Sequence, residues 1–159
     1  MMKAYDRVEW NYLQAIMTKL GFAPSWMATI MRMVTSVKFS VLFNGSKLEE
    51  FLPSRGIRQG DPISPYLFLL AAEGLLCLLK TQDESSSLNG IRVAPSAPPV
   101  SHLLFADDSL LFIKASSDGA NQLSSLMESY CNASGQRINY AKSSVFFSKG
   151  CPSALKAEV

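Results

Sequence analysis

The chain has 159 residues, of which 48% are apolar and 18% charged, and its formal charge is +2. It is long enough for one domain with a proper core and too apolar for a disordered chain, while so small a charge gives no argument for nucleic acid except through a specific site. Cys77, Cys131 and Cys151 form no CxxC pair and His102 is the only histidine, which argues against a zinc site, a disulfide framework or a Ser-His-Asp triad and for a reducing compartment.

The first residues read as neither a signal peptide nor an Arg-rich transit peptide, so an intracellular setting, nucleus or cytoplasm, is expected. Val8, Tyr12, Leu13, Ile16, Met17 and Leu20 fall on one helix face, and Gly21 ends that helix. Pro24 and Ser25 restart the chain. Trp26, Ile30, Met33, Val34 and Val37 form a second apolar stripe, expected to be core. Residues 38–43 alternate and run into Asn44-Gly45, a strong hairpin signal, with a returning strand over 47–52 stopped by Pro53.

Residues 54–62 form a loop with two glycines, two arginines and a proline. Its glycines allow backbone to approach a ligand closely, and Arg55 and Arg58 suit paired hydrogen bonds to phosphate. Ser64-Pro65 opens a third helix, with Ser64 as its N-cap and its positive dipole end near the loop. That helix is apolar nearly all round to Leu79, which predicts packing on several sides. Its apolar run over 66–79 is shorter than a membrane span needs and contains Glu73. The alternative for residues 54–62 is a plain Gly/Pro-rich connector.

Residues 81–89 and 93–99 read as loops around a short strand at 91–93. His102 to Phe112 then places two short apolar runs around Asp107 and Asp108. Ala-Asp-Asp-Ser suits a tight turn, so both carboxylates should sit at a hairpin tip. Adjacent anions favour a cation between or near them, and a hard ion such as Mg²⁺ prefers carboxylate oxygen. The alternative is a solvated turn that contains two acids. Ser117-Asp118 caps a fourth helix with the stripe Leu123, Leu126, Met127, Tyr130 and Cys131, which ends by Gly135. Residues 138–140 and 144–147 read as a last strand pair, or one bent strand, around Lys142. Hairpins mixed with helices and no regular βαβ repeat predict an α+β domain, with helices packed on one face of an antiparallel sheet.

Four stretches resemble one family. Phe105-Ala106-Asp107-Asp108, preceded by His-Leu-Leu, resembles the Asp-Asp motif of reverse transcriptases, in the form common to non-LTR retrotransposons and group II intron proteins. Residues 56–65 resemble the motif before the long palm helix, residues 3–10 the end of the first palm motif in plant LINE-type elements, and residues 134–143 the motif with a characteristic lysine. They stand in family order over residues 1–148.

The resemblance implies a palm domain over residues 1–148 with an undetermined tail over 149–159. It implies Asp107 and Asp108 as catalytic metal ligands for Mg²⁺, with Mn²⁺ as a substitute, and Lys142 as a donor to the leaving pyrophosphate. Tyr5 would be the gate beneath the deoxyribose, and Arg58, Gln59 and Gly60 would contact nucleotide and template. Partners would be an RNA template, a DNA primer and dNTPs, with no membrane. Nucleotidyl transfer in the family uses two metals about 3.5–4 Å apart. The family's first motif opens with a third aspartate that would fall one residue before Met1. The chain thus reads as a palm fragment with fingers mostly missing and thumb absent, inactive alone without those segments of a parent polyprotein. The alternative is a non-catalytic nucleic-acid-binding remnant.

Overall fold

Val8 and Glu9 lie outside the helical region, so the helix expected from Val8 begins only at α2 (Trp10–Lys19), after a separate turn, α1 (Ala4–Arg7). This computed structural model describes residues 1–84 and 90–158. It divides into two compact units, Lys3–Ala72 and Met1–Met2 with Glu73–Val159.

In the first unit, Ala4, Val8, Leu13 and Met17 are buried along the α1–α2 segment. Gly21, at φ 79°, ends the helical run as its position predicts. α3 (Pro24–Thr35) packs against α2, with Pro24 in its first turn. Its stripe is not core throughout. Ile30 is buried, but Trp26 and Met33 are 40% and 49% exposed, because a helix resting on one neighbour buries only a narrow line.

Asn44 and Gly45 both hold positive φ and turn β1 (Leu42–Phe43) into β2 (Ser46–Lys47). The expected six-residue strands shrink to these pairs and one bridge between Phe39 and Phe51. No face of this hairpin is covered: Phe39, Val41, Phe43 and Phe51 are all exposed.

α4 (Ser64–Glu84) continues through the first part of the expected 81–89 loop; residues 85–89 lie outside the described ones. Ser64 is inside the helix rather than its cap. The Ile63 carbonyl accepts the first helical bond, from Leu67, and the Asp61 carboxylate accepts the Ile63 N–H at 3.1 Å. Leu67, Phe68, Ala71, Leu75 and Leu79 form one buried stripe, while Tyr66 and Leu69 are 67% and 61% exposed. The expected packing on several sides is therefore not found. By length and composition Ser64–Gln82 is also apolar enough to cross a membrane, contrary to the shorter span read from sequence.

In the second unit, an Ile91–Val100 bridge replaces the expected short strand. β3 (His102–Phe105) and β4 (Asp108–Leu111) pair antiparallel. The cap of α5 (Ser117–Ser134) lies one residue earlier than predicted: Ser116 Oγ accepts the Gly119 N–H at 3.1 Å, and Ser117 is the first helical residue. Gly135, at φ 78°, closes it. Leu126, Met127 and Tyr130 are buried on α5 as predicted, and Leu75 and Leu79 of α4 are buried in the same unit.

The last strand pair is not formed. Residues 140–142 make a 3₁₀ turn, in which Ser143 Oγ donates to the Asn139 carbonyl at 2.8 Å, a local bond that competes with strand pairing. α6 (Ser153–Glu158) occupies the tail. The described strands make two separate two-stranded sheets. The α+β class holds as helices mixed with small antiparallel sheets.

Candidate functional site

The hairpin register fixes where the two aspartates stand. Phe105 pairs with Asp108, leaving Ala106 and Asp107 as the turn. Ala106 holds φ 50°, a left-handed conformation unfavourable for a residue with a Cβ. Strain of this kind persists where surrounding structure imposes it. Opposite residues of an antiparallel pair share a face, so Asp108 lies on the face of Leu103, Phe105 and Leu110, all exposed. Both aspartates are exposed, and neither carboxylate has a hydrogen bond or ion pair among the described residues. The main chain of Asp107 is held from another side: the Met1 amino group donates to its carbonyl at 2.6 Å.

Two adjacent, solvent-facing carboxylates with free oxygens fit a hard divalent cation that keeps its waters and takes phosphate ligands from a substrate. They do not make an all-protein cage. Among the described residues no group of three or more His, Cys, Asp or Glu could hold a metal ion.

In the first unit, the loop before α4 is tied to the N-terminal segment. The Gly56 N–H donates to the Val8 carbonyl at 2.8 Å and the Ile57 N–H to the Tyr5 carbonyl at 2.9 Å. Trp10 Nε1 donates to the Gly56 carbonyl at 2.7 Å. Gly56 takes φ 92°, and a Cβ there would lie 2.8 Å from the Asp6 carbonyl oxygen. Its role is thus close approach of the chain to itself, not to a ligand. Gly60 is different: at φ 84° it needs glycine geometry but faces open space. Arg55, read as a phosphate contact, pairs with Glu9 at 3.1 Å. The α4 N-terminus, read as a dipole site, already has the Asp61 carboxylate on its Ile63 amide.

Arg58, Gln59 and Gly60 follow the buried Ile57 and are all exposed. Tyr5 is half-buried, and its ring stacks on Phe68 with centroids 4.9 Å apart. The structure therefore brings Tyr5 and the Arg58–Gly60 loop onto one braced segment, and Asp107 and Asp108 onto one hairpin. Lys142 is exposed at the end of its 3₁₀ turn, without an ion pair to either aspartate. Sequence reasoning missed Trp10, Phe68 and Asp61. The indole N–H of a half-buried tryptophan needs a partner, and that is the signal that could have marked Trp10.

A model of the family described as reverse transcriptase (RNA-dependent DNA polymerase) matches residues 1–155. An uncharacterized mitochondrial protein of Arabidopsis thaliana is 51% identical over 72 residues, 44% of this chain and 59% of that protein. The transposon TX1 uncharacterized 149 kDa protein of Xenopus laevis is 33% identical over 142 residues, 89% of this chain and 10% of that protein. A retrovirus-related Pol polyprotein from a type-1 retrotransposable element R2 of Popillia japonica is 26% identical over 140 residues, 88% of this chain and 22% of that protein. The chain thus spans only part of each relative's length.

Proposed function

This chain belongs to the reverse transcriptase (RNA-dependent DNA polymerase) family, and we propose that it acts as the palm portion of a non-LTR, LINE-type retrotransposon polymerase copying RNA into DNA. The observation that carries the reading is the end of the β3–β4 hairpin, where Asp107 in the turn and Asp108 at the start of β4 present two solvent-facing carboxylates with no partner among the described residues, on the stretch that resembles the family's Asp-Asp motif.

In this reading Asp107 and Asp108 hold Mg²⁺, or Mn²⁺ in its place, which when bound neutralises phosphate charge during in-line displacement. Gln59 and Gly60 bind the incoming dNTP and template base, Gly60 presenting bare backbone. Arg58 meets phosphate through its paired donors. Tyr5 excludes a ribose 2′-hydroxyl by contact. Lys142 Nζ gives a proton to the leaving pyrophosphate. An RNA template and a DNA primer complete the substrate set.

A second reading, a nucleic-acid-binding remnant without chemistry, is favoured by one observation: no third carboxylate joins the pair among the described residues. Paramagnetic Mn²⁺, titrated into the chain and followed by NMR line broadening, tests between them. Broadening centred on residues 107–108, strengthened by dTTP and lost in Asp107→Asn/Asp108→Asn, is expected. Salt-sensitive RNA binding without such broadening would favour the second reading.

A further inference from the structure

From the bonds between residues 5–10 and 55–57 we infer that Trp10 is a positioning residue: its indole fixes the register between Tyr5 and the Arg58-Gln59-Gly60 loop, and through it the discrimination between deoxy- and ribonucleotides. The inference rests on the nucleotide-binding reading above and adds to it a residue outside the proposed contact set.

The two segments are 46 residues apart in sequence, so nothing local sets their alignment. Backbone bonds at Gly56 and Ile57 set it in one register only, because a one-residue slip would put a Cβ-bearing residue at φ 92° against the Asp6 main chain. Those two bonds use the N–H groups of the 56–57 step. The Gly56 carbonyl is left for Trp10, whose Nε1 reaches it at 2.7 Å. With the Gly56 carbonyl and the Ile57 N–H both held, the 56–57 peptide plane cannot rotate without breaking a bond. The next residues that bear on a ligand, Arg58 to Gly60, start two positions later and are exposed.

On the other side, the carbonyl that Ile57 engages belongs to Tyr5 itself. Distance between the Tyr5 ring and the Gln59–Gly60 backbone is therefore set through two peptide units braced by one indole. A gate that works by contact is sensitive to such spacing. The Arg55–Glu9 pair, 45% and 39% exposed, contributes little by comparison.

The test is Trp10→Phe, which keeps an aromatic ring and deletes the N–H, with Trp26→Phe as control because Trp26 stacks on Phe22 instead. Gly56→Ala is the harsher companion, and Trp10→Phe keeps the test open if that variant fails to fold. Two measurements are made on the full chain: amide exchange at Gly56 and Ile57, and the affinities of Mg²⁺·dATP and Mg²⁺·ATP. Expected for Trp10→Phe is exchange faster by about fivefold and a deoxy-over-ribo preference reduced by about fivefold, the scale of one lost hydrogen bond. Trp26→Phe should change neither.

Unchanged exchange in Trp10→Phe would overturn the inference. So would faster exchange with an unaltered nucleotide preference, since Trp10 would then be structural only. If the wild-type chain binds neither nucleotide, the functional reading falls and the specificity claim with it. The exchange rates tell that outcome apart from a failure of the clasp.

Discussion

The ring of Tyr5 lies flat on the ring of Phe68, with centroids 4.9 Å apart and planes inclined by 12°. Phe68 is 4% exposed and belongs to the buried stripe of α4, so it is the fixed member of the pair. Truncating it removes both the stack and a core side chain. Phe68→Ala should cost about 3–5 kcal/mol, read from the urea midpoint. Tyr5→Ala, taken from a half-exposed position, should cost clearly less, and equal costs would show that the stack does not rest on Phe68.

Gly56 and Gly60 should separate in the same assay. Both hold positive φ, which costs a residue with a Cβ about 1–2 kcal/mol. At Gly60 nothing lies within 4 Å of an added Cβ, so Gly60→Ala should lose only that amount. At Gly56 the added carbon would also meet the Asp6 main chain at 2.8 Å, and main chain cannot step aside as a flexible side chain does. Gly56→Ala should lose about 2–3 kcal/mol beyond Gly60→Ala, in the range for overpacking. Similar midpoints for the two variants would contradict the close approach.

Alkaline pH should unfold the chain partly through Tyr130. This residue is 3% exposed, and burial pushes its phenol up from 10.0 to about 12, with a Ser134 hydrogen bond opposing. The folded state therefore keeps a proton that the unfolded state releases first. The stabilisation is complete below pH 10 and is lost as pH rises from 10 through about 12. A shift of that size corresponds to roughly 2–3 kcal/mol. Subtracting the stability curve of Tyr130→Phe from that of wild type should isolate this decline. A flat difference between pH 9 and 12 would mean that Tyr130 is not buried.

Residues 1–159 made alone should self-associate. Phe105 is 82% exposed, with Leu103 and Leu110 on the same hairpin face at 55% and 50%. Phe43 and Leu42, at 62% and 72%, extend from the other hairpin. Two-stranded sheets with open edges and apolar faces invite pairing between chains. Light scattering should show mass rising with concentration. Phe43→Lys and Phe105→Lys should each lower it, and the double variant should lower it further. A monodisperse wild-type monomer throughout would be the contrary result.

Turns and helix ends were legible because their chemistry is local. Asn44-Gly45, Gly21 and Gly135 each hold the positive φ that their residue types permit, and the expected hairpin forms around the aspartates, with Asp107 in its turn and Asp108 at the start of β4 rather than in the turn. Burial was less legible, since it depends on what packs from afar. α4 is apolar all round in sequence, yet Tyr66 and Leu69 face solvent because the neighbours cover one stripe. At the α5 start, Ser116 and Ser117 are chemically equal as caps, and only backbone geometry chooses between them. The Trp10–Gly56 bond shows the same limit at the site. A loop of Arg and Gly reads as ligand-facing, whereas part of it faces its own chain, with Arg55 on Glu9 and Gly56 on Asp6.

Residues 1–159 alone should not extend a primer at a useful rate. Phosphoryl transfer depends on positioning and charge neutralisation more than on covalent chemistry by the protein. Two metals bridging attacking and leaving oxygens need carboxylates enough to hold both. Among the described residues no third carboxylate groups with Asp107 and Asp108, and the expectation is that two carboxylates do not hold both ions. Losing one member of a catalytic group costs several orders of magnitude, and such losses are not additive. A primer annealed to RNA, with Mg²⁺ and then Mn²⁺, should therefore remain unextended by wild type and by Asp107→Ala alike. Extension by wild type that Asp107→Ala abolishes would reverse the argument, because another carboxylate would then have to complete the site.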